Sequence, residues 1–116
     1  MRILLVVLLL ISVQFTIGQI VSRPITEFTG FNEFTEVLLD VRTSVEFKAG
    51  CIDGAVNIDW LSNQFNERVR YLDKNKKIYV YCKKGGRSIK SQKRLAELGF
   101  KNVVNLEGGY DAFLMK

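Results

Sequence analysis

The chain contains no histidine. That excludes a cysteine–histidine protease pair, a histidine general base and a histidine-ligated metal. Any nucleophile must be activated by fixed charges and dipoles around it. Cysteine is almost as scarce, with Cys51 and Cys82 the only two. Two thiols are too few for a disulfide scaffold or a four-cysteine zinc site. No metal and no cofactor is expected. Internal repeats and low-complexity tracts are also missing. The 116 residues have room for one small domain. With 47% apolar and 25% charged residues, the chain has the balance of a globular protein.

The net charge is +5. The basic residues are scattered, or sit in one loop and on the helix after it. They form no stripe with interleaved aromatics, so a nucleic-acid partner is not expected. The balance reads as a modestly basic surface.

Residues 1–18 have the layout of a secretory signal peptide. Arg2 gives a positive start, Ile3 to Val13 is apolar apart from Ser12, and Thr16 and Gly18 stand at −3 and −1 to a cut before Gln19. The apolar run falls short of the ~18 to 20 residues of a spanning helix. The expectation is an exported protein, periplasmic or secreted, with no stable membrane anchor after cleavage.

Residues 19–36 form an N-terminal segment to which no regular structure is assigned. Pro24 interrupts it, and Phe28, Phe31 and Phe34 are expected to pack on the domain. From Val37 the pattern is clear. Val37-Leu38-Leu39-Asp40-Val41-Arg42 is an apolar run ending in charges, as in a strand buried on both faces of a parallel sheet. Thr43 or Ser44 can cap a short helix, Ser44 to Ala49, with Glu46 in its first turn and Gly50 at its end. A turn and a short strand lead to Ile58. Leu61, Phe65, Val69 and Leu72 mark one face of a helix from about Leu61 to Tyr71. Ile78 to Tyr81 is a strand. A helix from Ser88 to Leu98 offers Ile89, Leu95, Ala96 and Leu98 for burial, and Val103 to Leu106 is the last strand. A short helix from Tyr110 to Met115 follows. Strands alternating with helices point to an α/β domain with a small, mostly parallel sheet. Right-handed crossovers put the strand C-termini at one edge, with Asp40, Arg42 and Cys82 there.

The stretch from Lys77 to Ile89 carries the chemistry. A strand ends at Cys82. Lys83, Lys84, Gly85, Gly86 and Arg87 follow, and a helix begins at Ser88. Such a loop turns its N–H groups inward as an anion nest. Nest, helix dipole and basic side chains all favour a thiolate, so the Cys82 pKa is expected to fall.

Cys82, Gly85, Arg87 and Ser88 match the loop of the rhodanese-like sulfurtransferase family, which the chain resembles. Four further segments match in order. They are Asp40-Val41-Arg42 with Glu46-Phe47; Gly50 to Ile58; Leu95 with Gly99-Phe100; and Leu106-Glu107-Gly108-Gly109-Tyr110 with Phe113. The resemblance covers about Val37 to Phe113 and places a rhodanese-like domain at residues 37–116. It implies a three-layer fold, helices on both faces of the sheet. It also implies a sulfurtransferase whose Cys82 thiolate takes a sulfane sulfur as a persulfide. The donor would be a small anion such as thiosulfate, and the acceptor a thiol, cyanide or an acceptor protein. The alternative is a persulfide carrier or regulatory binding module without turnover. Cys51 departs from the family, which usually has histidine there. It reads as a small, partly buried thiol. A bond to Cys82 would need Cα atoms within about 7 Å, and the topology sets the two at opposite sheet edges.

Each loop residue keeps a plain reading beside the chemical one. Lys83 and Lys84 hold an anionic donor or are ordinary exposed lysines. Gly85 and Gly86 let the backbone approach the sulfur. Arg87 anchors the loop, through Asp40 or another acid. Ser88 is first a helix N-cap, and second a hydrogen-bond donor to the persulfide. Asp40 and Arg42 are structural or line the substrate edge. The loop from Cys82 to Arg87 spans six residues. Relatives that handle phosphate or arsenate carry one more and a wider cradle, so sulfur is favoured over phosphate.

Overall fold

The computed structural model describes residues 19–116. The expected signal peptide lies outside them. Among the described residues, five strands form one sheet: β1 (Gln19–Pro24), β2 (Glu36–Asp40), β3 (Val56–Asn57), β4 (Lys77–Tyr81) and β5 (Asn102–Glu107). Their order is β1-β5-β4-β2-β3, and every pairing is parallel. The three apolar runs of the sequence become the central strands, where both faces are covered. Leu38 and Leu39 show the result: neighbours on β2, pointing to opposite faces, and both fully buried.

Period-two alternation sorts the core into two layers. On one face Leu39, Val41, Ile78, Val80, Cys82 and Val103 pack under α2 (Phe65–Val69) and α3 (Gly86–Glu97). On the other face Leu38, Tyr81, Val104 and Leu106 pack against Ile25, Phe28 and Ile52. Tyr110 and Phe113 of α4 (Gly109–Leu114) close that layer. The remaining helix, α1 (Ser44–Ala49), starts on a complete capping box. The Thr43 hydroxyl accepts from Glu46 N, and Glu46 Oε1 accepts from Thr43 N.

The segment 19–36, to which the sequence assigned no regular structure, supplies edge strand β1 and a 3₁₀ turn at Ile25–Glu27. Four expectations need correction. Phe28 is buried and Phe31 packs beside it, but Phe34 is 88% exposed. It sits in a turn closed by Asn32, whose side chain accepts from Phe34 N and whose carbonyl accepts from Glu36 N. The helix expected from Leu61 shrinks to Phe65–Val69, and Leu61 faces solvent. Asp59 and Ser62 are the cause. Their side chains accept from Leu61 N and Gln64 N, building local turns where helix hydrogen bonds would form. Finally, α3 begins at Gly86, and Gly85 is its N-cap, so Ser88 does not cap it. The buried face of α3 is Ser88, Ser91, Gln92 and Leu95, one stripe at helical spacing. That phase leaves Ile89 exposed.

Candidate active site

Strand β4 ends at Tyr81 and delivers Cys82 to the C-terminal edge of the sheet. The sulfur points to the α3 face and is buried, with the residue 1% exposed. Gly85 N donates to Sγ at 3.0 Å. The thiol donates to Ser88 Oγ at 3.5 Å, and that hydroxyl donates to Gly85 O at 3.0 Å. This turn needs Gly85, whose φ of 117° lies in the left-handed region. Gly86 has no such conformation; it opens α3.

Burial pushes the Cys82 thiol up. The Ser88 hydroxyl pulls it down, together with the N–H groups of Ser88, Gly85 and Lys84. The hydrogen bonds prevail, and the pKa lies below the ordinary thiol value. Once Cys82 ionises it needs donors only. The Ser88 hydroxyl can then rotate from Gly85 O to the sulfur, since hydroxyl rotors are free to follow their acceptors.

Arg87 is the side chain that fixes the loop, and its partner is Glu46, not Asp40. Nη1 and Nη2 donate to Oε1 and Oε2 at 2.7 and 3.0 Å. This is the two-pronged guanidinium–carboxylate geometry, stronger than a single contact. Oε1 serves the α1 capping box as well, so one carboxylate ties α1 to the loop. The Arg87 hydrogen bonds hold the Glu46 pKa down at about 2, against the cost of burial. The Glu46 bonds raise the Arg87 pKa, and the nearby Cys82 and Asp59 add to that rise.

A second clamp comes from α4. Tyr110 N donates to Cys82 O at 2.7 Å and Asp111 N to Lys83 O at 3.1 Å. Gly109 makes this approach possible. Its φ is 66°, and a side-chain carbon there would fall onto the Lys83 carbonyl. Lys83 itself leans to Asp111, Nζ to Oδ2 at 3.1 Å. Lys84 is exposed and has no carboxylate partner among the described residues.

Asp40 and Arg42 are brought together, but away from the sulfur. They form a buried ion pair at 2.7 Å on the opposite face of the sheet. Arg42 also donates to Gly50 O and lies over the Tyr110 ring, 4.3 Å from its centroid. Asn57 Nδ2 donates to the Asp40 and Arg42 carbonyls. Tyr81, buried beneath them, takes a hydrogen bond from Ile52 N, and burial raises its pKa. These groups hold the floor under α4. Cys51 is half-buried, and both cysteines are free. Among the described residues no cluster of three histidine, cysteine or acidic groups could hold a metal ion.

Sequence reasoning missed three supports of the loop. Glu46 was legible as a helix cap but not as the Arg87 partner. Gly109 and Asp111 carried only the signal of a glycine pair before a short helix.

Comparison with known proteins adds the family. The Rhodanese-like domain matches residues 29–116. Thiosulfate sulfurtransferase 16, chloroplastic, of Arabidopsis thaliana is 36% identical over 65% of this chain and 71% of its own length. The tRNA uridine(34) hydroxylase of Cytophaga hutchinsonii is 40% identical over 63% of this chain, but only 24% of its own length is matched. Among solved structures, a rhodanese-related protein from Thermoplasma volcanium superposes with a TM-score of 0.63 at 30% identity, covering 71% of this chain and 79% of that one. The domain is therefore shared by sulfurtransferases and by a larger hydroxylase. By sequence pattern and by fold, this chain belongs to the rhodanese-like domain family.

Proposed function

We propose that this protein moves a sulfane sulfur from a donor such as thiosulfate to a thiol or cyanide acceptor, through a persulfide on Cys82. One observation carries the reading: the Cys82 sulfur sits at the head of α3, with Gly85 N at 3.0 Å and the Ser88 hydroxyl at 3.5 Å. These groups favour a thiolate without a histidine base. The loop amides gather on the sulfur itself, which favours sulfur over phosphate chemistry.

In the first step the Cys82 thiolate attacks the outer sulfur of thiosulfate. The S–S bond of the donor breaks, and sulfite leaves with its electron pair. Cys82 is left as a persulfide anion. In the second step cyanide or a thiolate attacks the outer sulfur, the new S–S bond breaks, and the Cys82 thiolate returns. Gly85 N and Ser88 stabilise the negative sulfur in both resting forms. Arg87 and Glu46 keep the loop from opening while the charge moves.

An acceptor protein is a further proposed partner. Export is likewise proposed, on the layout of residues 1–18. The experiment is steady-state thiocyanate formation from thiosulfate and cyanide, with Cys82→Ser as control. Turnover by the wild type alone supports an enzyme. A single loading, released only to a partner protein, supports the carrier instead. Turnover that survives in Cys82→Ser contradicts both.

A further inference from the structure

The loop carries three cations, Lys83, Lys84 and Arg87, and two carboxylates are fixed against them. Glu46 holds Arg87, and Asp111 holds Lys83 at 3.1 Å. One positive charge is left over, and the Cys82 thiolate balances it. The mouth therefore has no surplus charge with which to attract a dianion.

We propose that Asp111 is a specificity-determining residue. By pairing with Lys83 it lowers the positive charge of the mouth and favours sulfane donors bearing one negative charge or none over dianions. This rests on the sulfur-transfer reading above.

The pair is held at two points. Asp111 N donates to Lys83 O, and Asp111 Oδ2 accepts from Lys83 Nζ. The backbone bond keeps the carboxylate beside the loop even when the side chains move. The side chains are 51% and 40% exposed. They act on an incoming donor as a charge in water, through a field that salt weakens. A persulfide donor R–S–SH suits such a mouth. The Cys82 thiolate attacks its outer sulfur, the S–S bond breaks, and RS⁻ leaves with the electron pair. Cys82–S–SH keeps the proton. The site handles one negative charge throughout, first on Cys82 and then on the leaving thiolate. Thiosulfate brings two more.

The test compares wild type, Asp111→Asn and the paired variant Lys83→Gln/Asp111→Asn. The two donors are thiosulfate and the persulfide of 2-mercaptoethanol, whose tail is uncharged. Asp111→Asn should lower the thiosulfate KM about threefold at low salt, with the gain lost at high salt. The KM for the persulfide, which carries at most one negative charge, should move less. The paired variant should return to the wild-type KM for thiosulfate, because it removes one charge of each sign. It also keeps the test valid if Asp111→Asn folds poorly. An unchanged thiosulfate KM in a folded Asp111→Asn overturns the proposal. So does a large loss of thiosulfate binding in the paired variant, which would make Lys83 a direct donor ligand. Wild-type protein that transfers sulfur from neither donor removes the sulfur-transfer reading itself, and this proposal with it.

Discussion

Arg87 and Glu46 stand 41 residues apart in the chain and meet through two parallel hydrogen bonds. One pair thereby joins the start of α1 to the loop that holds the nucleophile. Glu46→Gln keeps the shape, halves the acceptor set and removes the charge. We expect sulfur transfer to fall about tenfold, as for loss of one charge-assisted hydrogen bond. Thiocyanate assays on the folded variant check it. An unchanged rate would mean that the loop holds its shape without the pair.

The same pair predicts a pH effect. The Glu46 pKa falls from an ordinary 4.5 to about 2 in the fold. A depressed carboxylate stabilises the native state above its unfolded pKa, and that stability is lost as pH falls through the folded one. The window therefore runs from about pH 4.5 down to about pH 2. Acid titration followed by Trp60 fluorescence should show wild-type stability falling across it, and a shallower fall in Glu46→Gln. Equal slopes would contradict the pairing.

Ser88→Ala should raise the Cys82 pKa. Its hydroxyl is the leading stabiliser of the charged sulfur. Without that hydroxyl the charged sulfur keeps only the backbone N–H groups against the cost of burial. The rate of iodoacetamide alkylation against pH reads this directly. The wild-type inflection should lie below that of a free thiol, near ~8.5, and the variant inflection above the wild-type one. Coincident curves would assign thiolate stabilisation to the backbone alone.

Gly109→Ala should be costly for two separate reasons. Its φ of 66° strains any side chain, and the added carbon would collide with the Lys83 carbonyl. We expect a loss on the order of 3 kcal/mol in urea unfolding. Activity should fall with it, because Tyr110 N and Asp111 N would be pushed off the loop. A variant as stable as the wild type would mean that α4 does not clamp the loop.

Much of this was legible in the sequence. Apolar runs such as Val37 to Leu39 and Ile78 to Tyr81 have one economical solution, a strand covered on both faces. Thr43 or Ser44, with Glu46 in the first turn, marked the start of α1. What stayed hidden depends on distant or competing contacts. Strand β1 is an edge strand paired only with β5, so its short, mixed sequence carries no buried run. The helix expected at Leu61 loses to side-chain turns at Asp59 and Ser62. At the site, Cys82, Gly85 and Arg87 stood out by local order. Ser88 was placed one role away, because Gly85 caps α3 and frees the hydroxyl for the sulfur. Nothing local could join Arg87 to Glu46, or Lys83 to Asp111. Those choices are made by the fold.

The most direct measurement is the intact mass of the protein after incubation with thiosulfate and removal of excess donor, beside Cys82→Ala. A persulfide on Cys82 predicts one added sulfur atom on the wild type alone, removable by cyanide. No addition to a protein whose Cys82 is shown to be reduced, with thiosulfate and with the persulfide of 2-mercaptoethanol alike, would contradict it.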